Sequence, residues 1–263
     1  MKKLLTALFA VLMVLTLAAC SSKKEEAEVV ELAEWEKQLG QPNVISVGIS
    51  PDYPPFESYD SANNLIGFDV ELFTAVIDEL NKINGTNYQI EWVPMEFDTI
   101  ISAIQTGQVD FGCSGFTFDE DRVGSVLFSN KYLASSIVAC VKASGSIASL
   151  DDLADKKIAA QTGTTCADAA ESYSSDVELI KDVKVMMEAF KADAYDAVLL
   201  DEPVAKNYES EEIVILADKV EDNDTYIITN INNEALNVAI NEAIDSFMNT
   251  VAYNDLVNEW GVK

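Results

Sequence analysis

Segments with the pattern of β-strands alternate with segments that have the pattern of α-helices from Val44 onward. Continuous apolar runs are typical of buried strands, whereas apolar residues three or four positions apart indicate one face of a helix. A strand–helix–strand–helix–strand series predicts a parallel sheet with helices on its faces, and therefore an α/β fold. In this first series we predict a strand over 44–50, a helix over 68–82, a strand over 86–94, a helix over 97–106 and a strand over 109–115.

A second and shorter series follows the apolar run at 135–142. Two α/β units of about 90 residues each are therefore expected, a size within the usual range for domains. We expect the chain to cross between them near 134–136 and again near 218–225. Periodicity alone does not say which unit contains the last two helices. In the second series we predict strands over 157–163, 177–181, 197–201 and 225–229 and helices over 150–154, 165–173, 185–191, 204–208, 235–250 and 254–260.

The start of the chain has the features of an export signal. Two lysines precede an apolar run over 4–19, which is shorter than the roughly 20 residues that a membrane-spanning helix needs. We therefore predict a signal peptide over 1–19, with a transmembrane anchor as an alternative. The run ends in LAAC (17–20), which resembles the lipobox of bacterial lipoproteins and implies lipidation of the Cys20 thiol. A plain signal peptide with a cysteine there by chance is the other interpretation.

Residues 20–42 are rich in glutamate and lysine, which predicts a solvated tether between the lipid and the folded body. Val29, Leu32, Trp35 and Leu39 recur at helical spacing, so an amphipathic helix over part of this segment is the alternative.

Charge and residue usage exclude several function classes. The chain has 17 basic and 45 acidic residues, a net charge of −28 and no histidine. An acidic surface repels phosphate backbones, so we expect no nucleic-acid partner. The lack of histidine excludes Ser-His-Asp and Cys-His catalysis and any zinc site that contains histidine, and no cofactor or metal is predicted. The three cysteines other than Cys20 are Cys113, Cys140 and Cys166, so at most two of them can form an internal disulfide. Cys113 and Cys140 are either plain buried residues or such a pair.

Three motifs are spread over most of residues 43–263: VGISPDYPPFESYDSANNLIGFDVEL (47–72), FDTIISAIQTGQVDFGCSGFTFDEDR (97–122) with FSNKYLASS (128–136), and AAQTGTT (159–165) with YDAVLLDEPVA (195–205). In this order they resemble the amino-acid-binding family 3 of extracellular solute-binding proteins, the receptors of ABC-type importers. The resemblance implies a periplasmic-binding-protein-like fold of type II, with two α/β lobes, two hinge strands and a ligand cleft between the lobes. It also implies that the last helices return to the first lobe, so that 43–135 and 226–263 form lobe 1 and 136–225 forms lobe 2.

The chemistry of a free amino acid can be assigned to residues in these motifs. An α-carboxylate needs charged donors, and Arg122 is the only arginine in the chain. Its alternative is a surface ion pair with a neighbouring carboxylate. Thr117 is a second candidate donor, with helix capping toward Glu120 as its alternative. In the second lobe Thr165 opens a predicted helix, whose free backbone N–H groups suit an anion.

The α-ammonium group needs buried acceptors. The resemblance implies the carboxylate of Asp201 and the carbonyl of Gly115 for this role. Asp201 has an alternative as a helix N-cap two residues before Pro203. Tyr53 and Phe97 match the two aromatic positions that sandwich the aliphatic part of the ligand, and Phe97 has an alternative as a core residue.

The side chain of the ligand is predicted less directly. Ser50 stands where relatives that bind basic amino acids or glutamine often carry aspartate, and Gln161 stands where the glutamine binder carries lysine. Together with Ser114 and Cys166 these residues predict a neutral, hydrogen-bonding surface, and hence a polar neutral amino acid or cystine. A second arginine for an acidic ligand does not exist in the chain.

We therefore expect a lipid-anchored extracytoplasmic receptor, monomeric and not an enzyme, that delivers an amino acid to a permease with its cytoplasmic ATPase. Two alternatives remain. One is an enzyme of the cyclohexadienyl-dehydratase type, with a carboxyl group such as that of Glu57 or Glu202 as acid or base. The other is a sensory surface protein.

Overall fold

A computed structural model describes residues 31–263, of which Ala33–Lys263 form one compact unit. The predicted signal peptide, the Cys20 lipidation site and the first part of the predicted tether lie outside the described residues. Among residues 31–263 no helix has the length and apolar character that crossing a bilayer requires.

Strands and helices alternate through the described chain much as the sequence pattern predicts. The strands are β1 (Val44–Ile49), β2 (Asp52–Tyr53), β3 (Glu57–Tyr59), β4 (Leu65–Ile66), β5 (Gln89–Pro94), β6 (Phe111–Gly112), β7 (Val126–Phe128), β8 (Ser136–Lys142), β9 (Ile158–Gln161), β10 (Val177–Ile180), β11 (Ala197–Asp201), β12 (Ile213–Ile215), β13 (Glu221–Asp222) and β14 (Ile228–Asn230). The α-helices are α1 (Phe68–Asn84), α2 (Phe97–Gln105), α3 (Thr165–Tyr173), α4 (Val183–Lys191), α5 (Glu202–Tyr208), α6 (Glu234–Met248) and α7 (Val251–Trp260).

The first lobe is built on a sheet with the strand order β5-β1-β6-β14-β7. β1 pairs in parallel with β5 and β6, whereas β14 pairs antiparallel with β6 and β7. The apolar residues of α1 pack on this sheet and against α6 and α7. The two closing helices therefore belong to the first lobe, although their own periodicity could not assign them.

The second lobe is built on a sheet with the strand order β10-β9-β11-β8-β12, and β13 also pairs with β8. β9 is parallel to β10 and β11, and β8 runs antiparallel to β11. α3 and α4 both pack against β9. The carboxyl end of β9 therefore leads directly into the start of α3, which lies at the interface between the lobes.

Two crossing segments join the lobes and pair with each other. The Asn223 backbone N–H donates to the Ser135 carbonyl at 2.9 Å, and the Thr225 N–H donates to the Leu133 carbonyl at 2.9 Å. Because the two crossings are bonded side by side, they form a short hinge.

The three cysteines of the described region are buried and free. Cys113 follows β6 in the first lobe, whereas Cys140 lies within β8 of the second. A disulfide between them does not form because their strands belong to different sheets.

The folded body begins earlier than the predicted boundary at residue 43. Trp35 is buried and packs on Tyr88, with 5.2 Å between the ring centroids, and the Tyr88 hydroxyl donates to Glu36 at 2.9 Å. The Gly40 N–H donates to Asp110 at 2.8 Å. The described part of this stretch contains a 3-10 turn over Glu36–Gln38, and Trp35 and Leu39 pack on the first lobe. The Val29 end of the alternative amphipathic helix lies outside the described residues.

The segment after β1 also differs from the structure that the sequence periodicity predicts. We predicted no strand between 50 and 68, but β2, β3 and β4 form a small antiparallel sheet there. These strands have two or three residues each, which is too short for a periodic pattern. This small sheet positions Asp52, Tyr53 and Glu57 at the lobe interface.

Candidate functional site

A cavity lies between the lobes, and ten of the residues predicted to face a ligand line it, whereas Cys166, predicted as part of its neutral surface, does not. Three further residues that were not predicted also line it: Asp52, Glu57 and Thr164. The cavity has two chemically distinct ends. The Arg122 end consists of Thr117, Arg122, Thr165 and Asp201, and the Glu57 end consists of Ser50, Asp52, Glu57, Ser114 and Gln161. That these residues bind a ligand stays a prediction.

Arg122 is buried at the lobe interface. One terminal nitrogen donates to the Thr117 carbonyl at 3.0 Å, and the other donates to the Gly163 carbonyl of the second lobe at 2.9 Å. The Nε atom lies 3.4 Å from Asp119, so the predicted alternative of a local ion pair also exists, but not on an exposed surface. Each terminal nitrogen of a guanidinium carries two N–H groups, so one on each stays available for a forked contact with a carboxylate.

Two threonines bring hydroxyl groups from opposite lobes to the same point. Thr117 Oγ1 lies 2.9 Å from Thr165 Oγ1. Thr165 is the first residue of α3, and Thr164 caps that helix by accepting from the Ala167 N–H at 3.3 Å. The capping alternative for Thr117 is wrong, because Asp119 caps the 3-10 turn over Glu120–Arg122. In this closed arrangement both hydroxyl protons are engaged, because the Thr165 hydroxyl donates to Asn223 and leaves Thr117 to donate to Thr165. A carboxylate beside the guanidinium would have to replace these bonds to use the hydroxyls as donors.

Asp201 ends β11 and stands at the N-cap position of α5, but it makes no side-chain capping bond. Its carboxylate instead accepts from the Tyr53 hydroxyl at 2.8 Å and from the Asn223 amide at 2.7 Å. Burial raises the pKa of Asp201 to about 6, against the two hydrogen bonds and the Arg122 charge, which lower it. A cation beside this carboxylate would therefore be held strongly.

Aromatic rings and one glycine shape the walls. Phe97 stacks on Phe116 with 4.5 Å between the centroids, so it is both a core residue and part of the cavity lining. Gly115 has φ +59°, a conformation that favours glycine, and a Cβ atom there would lie 3.6 Å from the Tyr53 ring. The Gly115 N–H donates to Asp69 at 2.7 Å, which fixes the direction in which this turn points.

Asp52 is the centre of the interlobe contacts at the Glu57 end. One carboxylate oxygen accepts from the Ser50 hydroxyl at 2.8 Å. The other accepts from Gln161 at 2.9 Å and from the Val183 N–H, at the start of α4, at 2.8 Å. Burial raises the pKa of Asp52, although the bonds from Val183 and Ser50 oppose that shift. Gln161, predicted as a ligand contact, therefore also joins the lobes.

Glu57 is fully buried beside Asp52. The Ser114 hydroxyl donates to its Oε1 at 2.7 Å, but its Oε2 has no hydrogen-bond partner within residues 31–263. Burial, followed by the nearby Asp69 charge, raises the pKa of Glu57 well above its usual range. An unpaired buried carboxyl oxygen at a cavity wall is costly unless a bound group supplies a donor.

Glu202 is the other carboxyl group considered for an enzymatic alternative, and it lies outside this cavity lining. Lys206 and Lys219 contact it at 2.9 and 2.8 Å. Hydrogen bonds from these two lysines lower its pKa to about 2, so it is held ionised and is unsuited to proton transfer near neutral pH.

The lobes also touch at the rim of the cavity. The Lys181 ammonium group of the second lobe lies 2.5 Å from Glu96 and 3.3 Å from Asp98 of the first. Lys184 donates to the Pro51 carbonyl at 3.1 Å. Together with the internal contacts, these bonds define a closed arrangement of the lobes.

The acidic character of the Glu57 end was not anticipated from sequence. Its signal was present in SPDYPPFE (50–57), where two carboxylates flank the predicted aromatic Tyr53. The sequence alone does not place both carboxylates on one wall, because it is the pairing of the short strands β2 and β3 that brings Asp52 and Glu57 to the same cavity.

Comparison with known proteins agrees with this architecture. The sequence profile of the bacterial extracellular solute-binding proteins, family 3, matches residues 45–263. A probable histidine-binding protein of Campylobacter jejuni is 32% identical over 213 residues, covering 80% of this chain and 78% of its own length. The arginine-binding extracellular protein ArtP of Bacillus subtilis is 31% identical, covering 79% and 76% respectively.

A solved structure, the substrate-binding protein of an amino acid ABC transporter, superposes with a TM-score of 0.76 at 30% identity, over 84% of this chain and 100% of its own. The profile match covers most of the chain, and it coincides with two α/β lobes around a lined cavity. The chain therefore belongs to family 3 of the bacterial extracellular solute-binding proteins.

Proposed function

We propose that the protein captures a free amino acid between its lobes and delivers it to the permease of an ABC importer. The observation that carries the proposal is the convergence of Arg122, Thr117 and Thr165 with Asp201 at one end of a buried cavity. A guanidinium and two hydroxyls suit an α-carboxylate, and a buried carboxylate suits an α-ammonium group.

The second part of the proposal concerns the side chain of the ligand. Asp52, Glu57 and Asp201 place three carboxyl groups on the cavity wall against the one guanidinium of Arg122. The zwitterionic part of an amino acid brings no net charge, so a cationic side chain at the Glu57 end would offset the excess of carboxyl groups over the single guanidinium. We therefore propose a basic amino acid, with arginine favoured because a guanidinium offers several donors to the unpaired Glu57 oxygen.

The predicted preference for a polar neutral amino acid or cystine remains the competing hypothesis. Burial favours the protonated form of Glu57, which could donate to the carbonyl of a neutral side chain. A cationic ligand would instead favour the ionised form. The relatives named for arginine and histidine binding support the basic ligand.

Lipid anchoring at Cys20 completes the proposal. An anchor at the outer face of the membrane would keep the receptor beside its permease and would raise its effective concentration there. The basis for this step is the lipobox-like sequence LAAC (17–20).

The test is a thermal-shift panel of the purified protein with the twenty amino acids and cystine. Binding to the native state alone adds about 2.7 kcal/mol at a hundred times Kd, which raises the melting temperature by a few degrees. We expect a shift with one or a few amino acids, L-arginine foremost, and its loss in Arg122→Ala. The matched control, Lys142→Ala, removes a cation that lies outside the cavity lining and should keep the shift.

A panel in which no amino acid shifts the melting temperature would contradict the receptor proposal. Chemical conversion of the ligand during incubation, followed by mass spectrometry, would instead favour the enzymatic alternative.

A further inference from the structure

Asn223 lies just behind the cavity, on the crossing segment that returns from the second lobe to the first. It is buried, and its backbone N–H donates to the Ser135 carbonyl of the other crossing at 2.9 Å. The preceding strand β13 pairs with β8 of the second lobe. Asn223 is therefore attached to both the hinge and the second lobe.

Both polar atoms of the Asn223 side-chain amide are hydrogen-bonded. Its Nδ2 donates to one oxygen of Asp201 at 2.7 Å, and its Oδ1 accepts from the Thr165 hydroxyl at 3.2 Å. Only one orientation of the amide satisfies both contacts, because a carboxylate cannot donate. One side chain thus contacts both Asp201, the predicted acceptor for the ammonium group, and Thr165, whose single hydroxyl proton it accepts in this closed arrangement.

The hydrogen bond from Tyr53 to Asp201 differs from the Asn223 bond because it joins the two lobes. Tyr53 belongs to the first lobe and reaches Asp201 across the interface at 2.8 Å. If the lobes separate to admit a ligand, this bond breaks. The bond from Asn223 stays, since Asn223 and Asp201 are both attached to the second-lobe sheet.

We propose that Asn223 is a positioning residue that keeps Asp201 oriented and ionised in the open form and ties Thr165 to the same frame. The inference rests on the proposed function and extends it: the hinge itself prepares the acceptor for the ammonium group before closure. Preorganisation of this kind lowers the cost of binding.

Removing the Asn223 donor has a defined electrostatic consequence. Burial disfavours the charged form of Asp201, and the Asn223 bond is the largest opposing influence on its pKa, ahead of Tyr53 and Arg122. Without that bond, Asp201 would hold its proton to higher pH. The titratable groups that interact with Asp201 from the surrounding elements are Tyr53, Glu57, Asp69, Arg122 and Cys166.

The test is a pH series of binding isotherms from pH 5 to pH 8 for the wild-type protein, Asn223→Ala and Asn223→Asp. The probe is the amino acid that gives the largest wild-type shift in the panel above. Loss of one hydrogen bond to a charged group predicts affinity about tenfold to hundredfold lower at neutral pH in Asn223→Ala. The pH below which binding weakens should also move upward, and Asn223→Asp should move it further because it adds a second buried carboxyl group.

Asn81→Ala is the matched control. Asn81 is also bonded on both sides of its amide, with its Nδ2 on the Tyr88 carbonyl at 3.0 Å and its Oδ1 accepting from Thr86 at 2.9 Å, away from the cavity. It should lower the melting temperature without moving the pH profile. If Asn223→Asp does not fold, Asn223→Ala makes the same comparison, because it removes the donor and adds no charge.

Wild-type pH profiles in both Asn223 variants would overturn the inference, even with a lowered melting temperature. A wild-type protein that binds no amino acid would instead overturn the proposed function, so the two failures can be told apart.

Discussion

The two ends of the cavity differ in how completely their polar groups are paired. At the Arg122 end, the guanidinium, the two threonine hydroxyls and the Asp201 carboxylate all bond across the lobes or to the hinge. At the Glu57 end, Asp52 is fully engaged, but Glu57 keeps an unpaired oxygen in a raised-pKa carboxyl group. The polar groups of the Arg122 end are therefore paired within the protein, whereas the Glu57 end keeps one carboxyl oxygen that only a bound group could pair.

Under the proposed function, the two ends of the cavity would bind different parts of the amino acid. The groups that every amino acid shares can be met by one fixed set of donors and acceptors, so the Arg122 end is suited to any of them. The side chain varies among amino acids, so under the proposed function the Glu57 end would select among them. Specificity then follows from the cost of leaving Glu57 unpaired, or of protonating it, when the wrong side chain enters.

The largest expected effect is at the Arg122 end. Arg122→Lys replaces a fork with a point charge and leaves the Gly163 carbonyl without its donor, so we expect affinity for every amino acid to fall by about hundredfold or more. Isothermal titration calorimetry measures this, with Lys142→Gln as the control outside the cavity lining. Affinity within threefold of the wild type would show that Arg122 does not hold the carboxylate.

A selective effect is expected at the Glu57 end. Glu57→Gln removes the charge but keeps the shape, so affinity for arginine should fall by about thirtyfold while affinity for citrulline, its neutral isostere, stays or rises. Competition titrations of the two ligands measure the ratio. Equal losses for both ligands would mean that Glu57 supports the fold and does not read the side-chain charge.

If Asp201 accepts the ligand ammonium group as proposed, affinity should depend on pH. The pKa of Asp201 is about 6, so its carboxyl group is ionised at pH 7 and mostly protonated at pH 5. Affinity should therefore fall by about tenfold between pH 7 and pH 5, since protonation competes with the ligand. Asp201→Asn should bind weakly at all pH values and should have a flatter profile, and a steep profile in that variant would assign the titration to another group.

Stability without ligand should change in the opposite direction. Burial raises the pKa of Asp69 and of Asp201 to about 6 in the folded protein. The folded protein then holds protons that the unfolded chain releases, so the free energy of unfolding falls as the pH rises from about 4 to about 6. We expect a melting temperature a few degrees higher at pH 5 than at pH 7.5.

Reduced repulsion in so acidic a chain acts in the same direction, so Asp201→Asn is the control for this stability change. It should narrow the difference in melting temperature between pH 5 and pH 7.5. A melting temperature that rises with pH would contradict the assignment of these buried carboxyl groups.

The smallest effect concerns the rim. The Lys181 side chain is 54% exposed where it bridges Glu96 and Asp98, and exposed ion pairs contribute little to stability or binding. Lys181→Met should therefore weaken binding by only about threefold at low salt, with no difference at high salt. A hundredfold loss would make this rim contact, and not the cavity, the main determinant of closure.

Much of the fold could be predicted because its strands and helices are long enough to carry a period. Helix α3 was predicted at Thr165–Tyr173, the bounds that the structure has. The strands β2, β3 and β4 were missed because two or three residues carry no period. The packing of the segment around Trp35 on the first lobe was missed because Trp35 packs on Tyr88, a residue distant in sequence, and the segment forms no helical face of its own.

The same reasoning explains which site residues were found. Arg122 and Asp201 were identified from residue chemistry combined with motif spacing. Asp52 and Glu57 stand in the first of the three motifs, but only the small β2–β4 sheet places them on the cavity wall, and Asn223 is placed by the pairing of the two crossings. Tertiary contacts, not local sequence, bring Asp52 and Glu57 to the cavity wall and Asn223 behind it.

The most direct test of the two-ended cavity compares arginine, citrulline and agmatine by calorimetry with the wild-type protein. Citrulline lacks the cationic group, and agmatine lacks the α-carboxylate. We predict that arginine binds, that citrulline binds about thirtyfold more weakly, and that agmatine binding is not detected, because citrulline brings no cation to the Glu57 end and agmatine brings no carboxylate to Arg122. Citrulline binding as tight as arginine binding, or agmatine binding comparable to either, would contradict the assignment of the two ends.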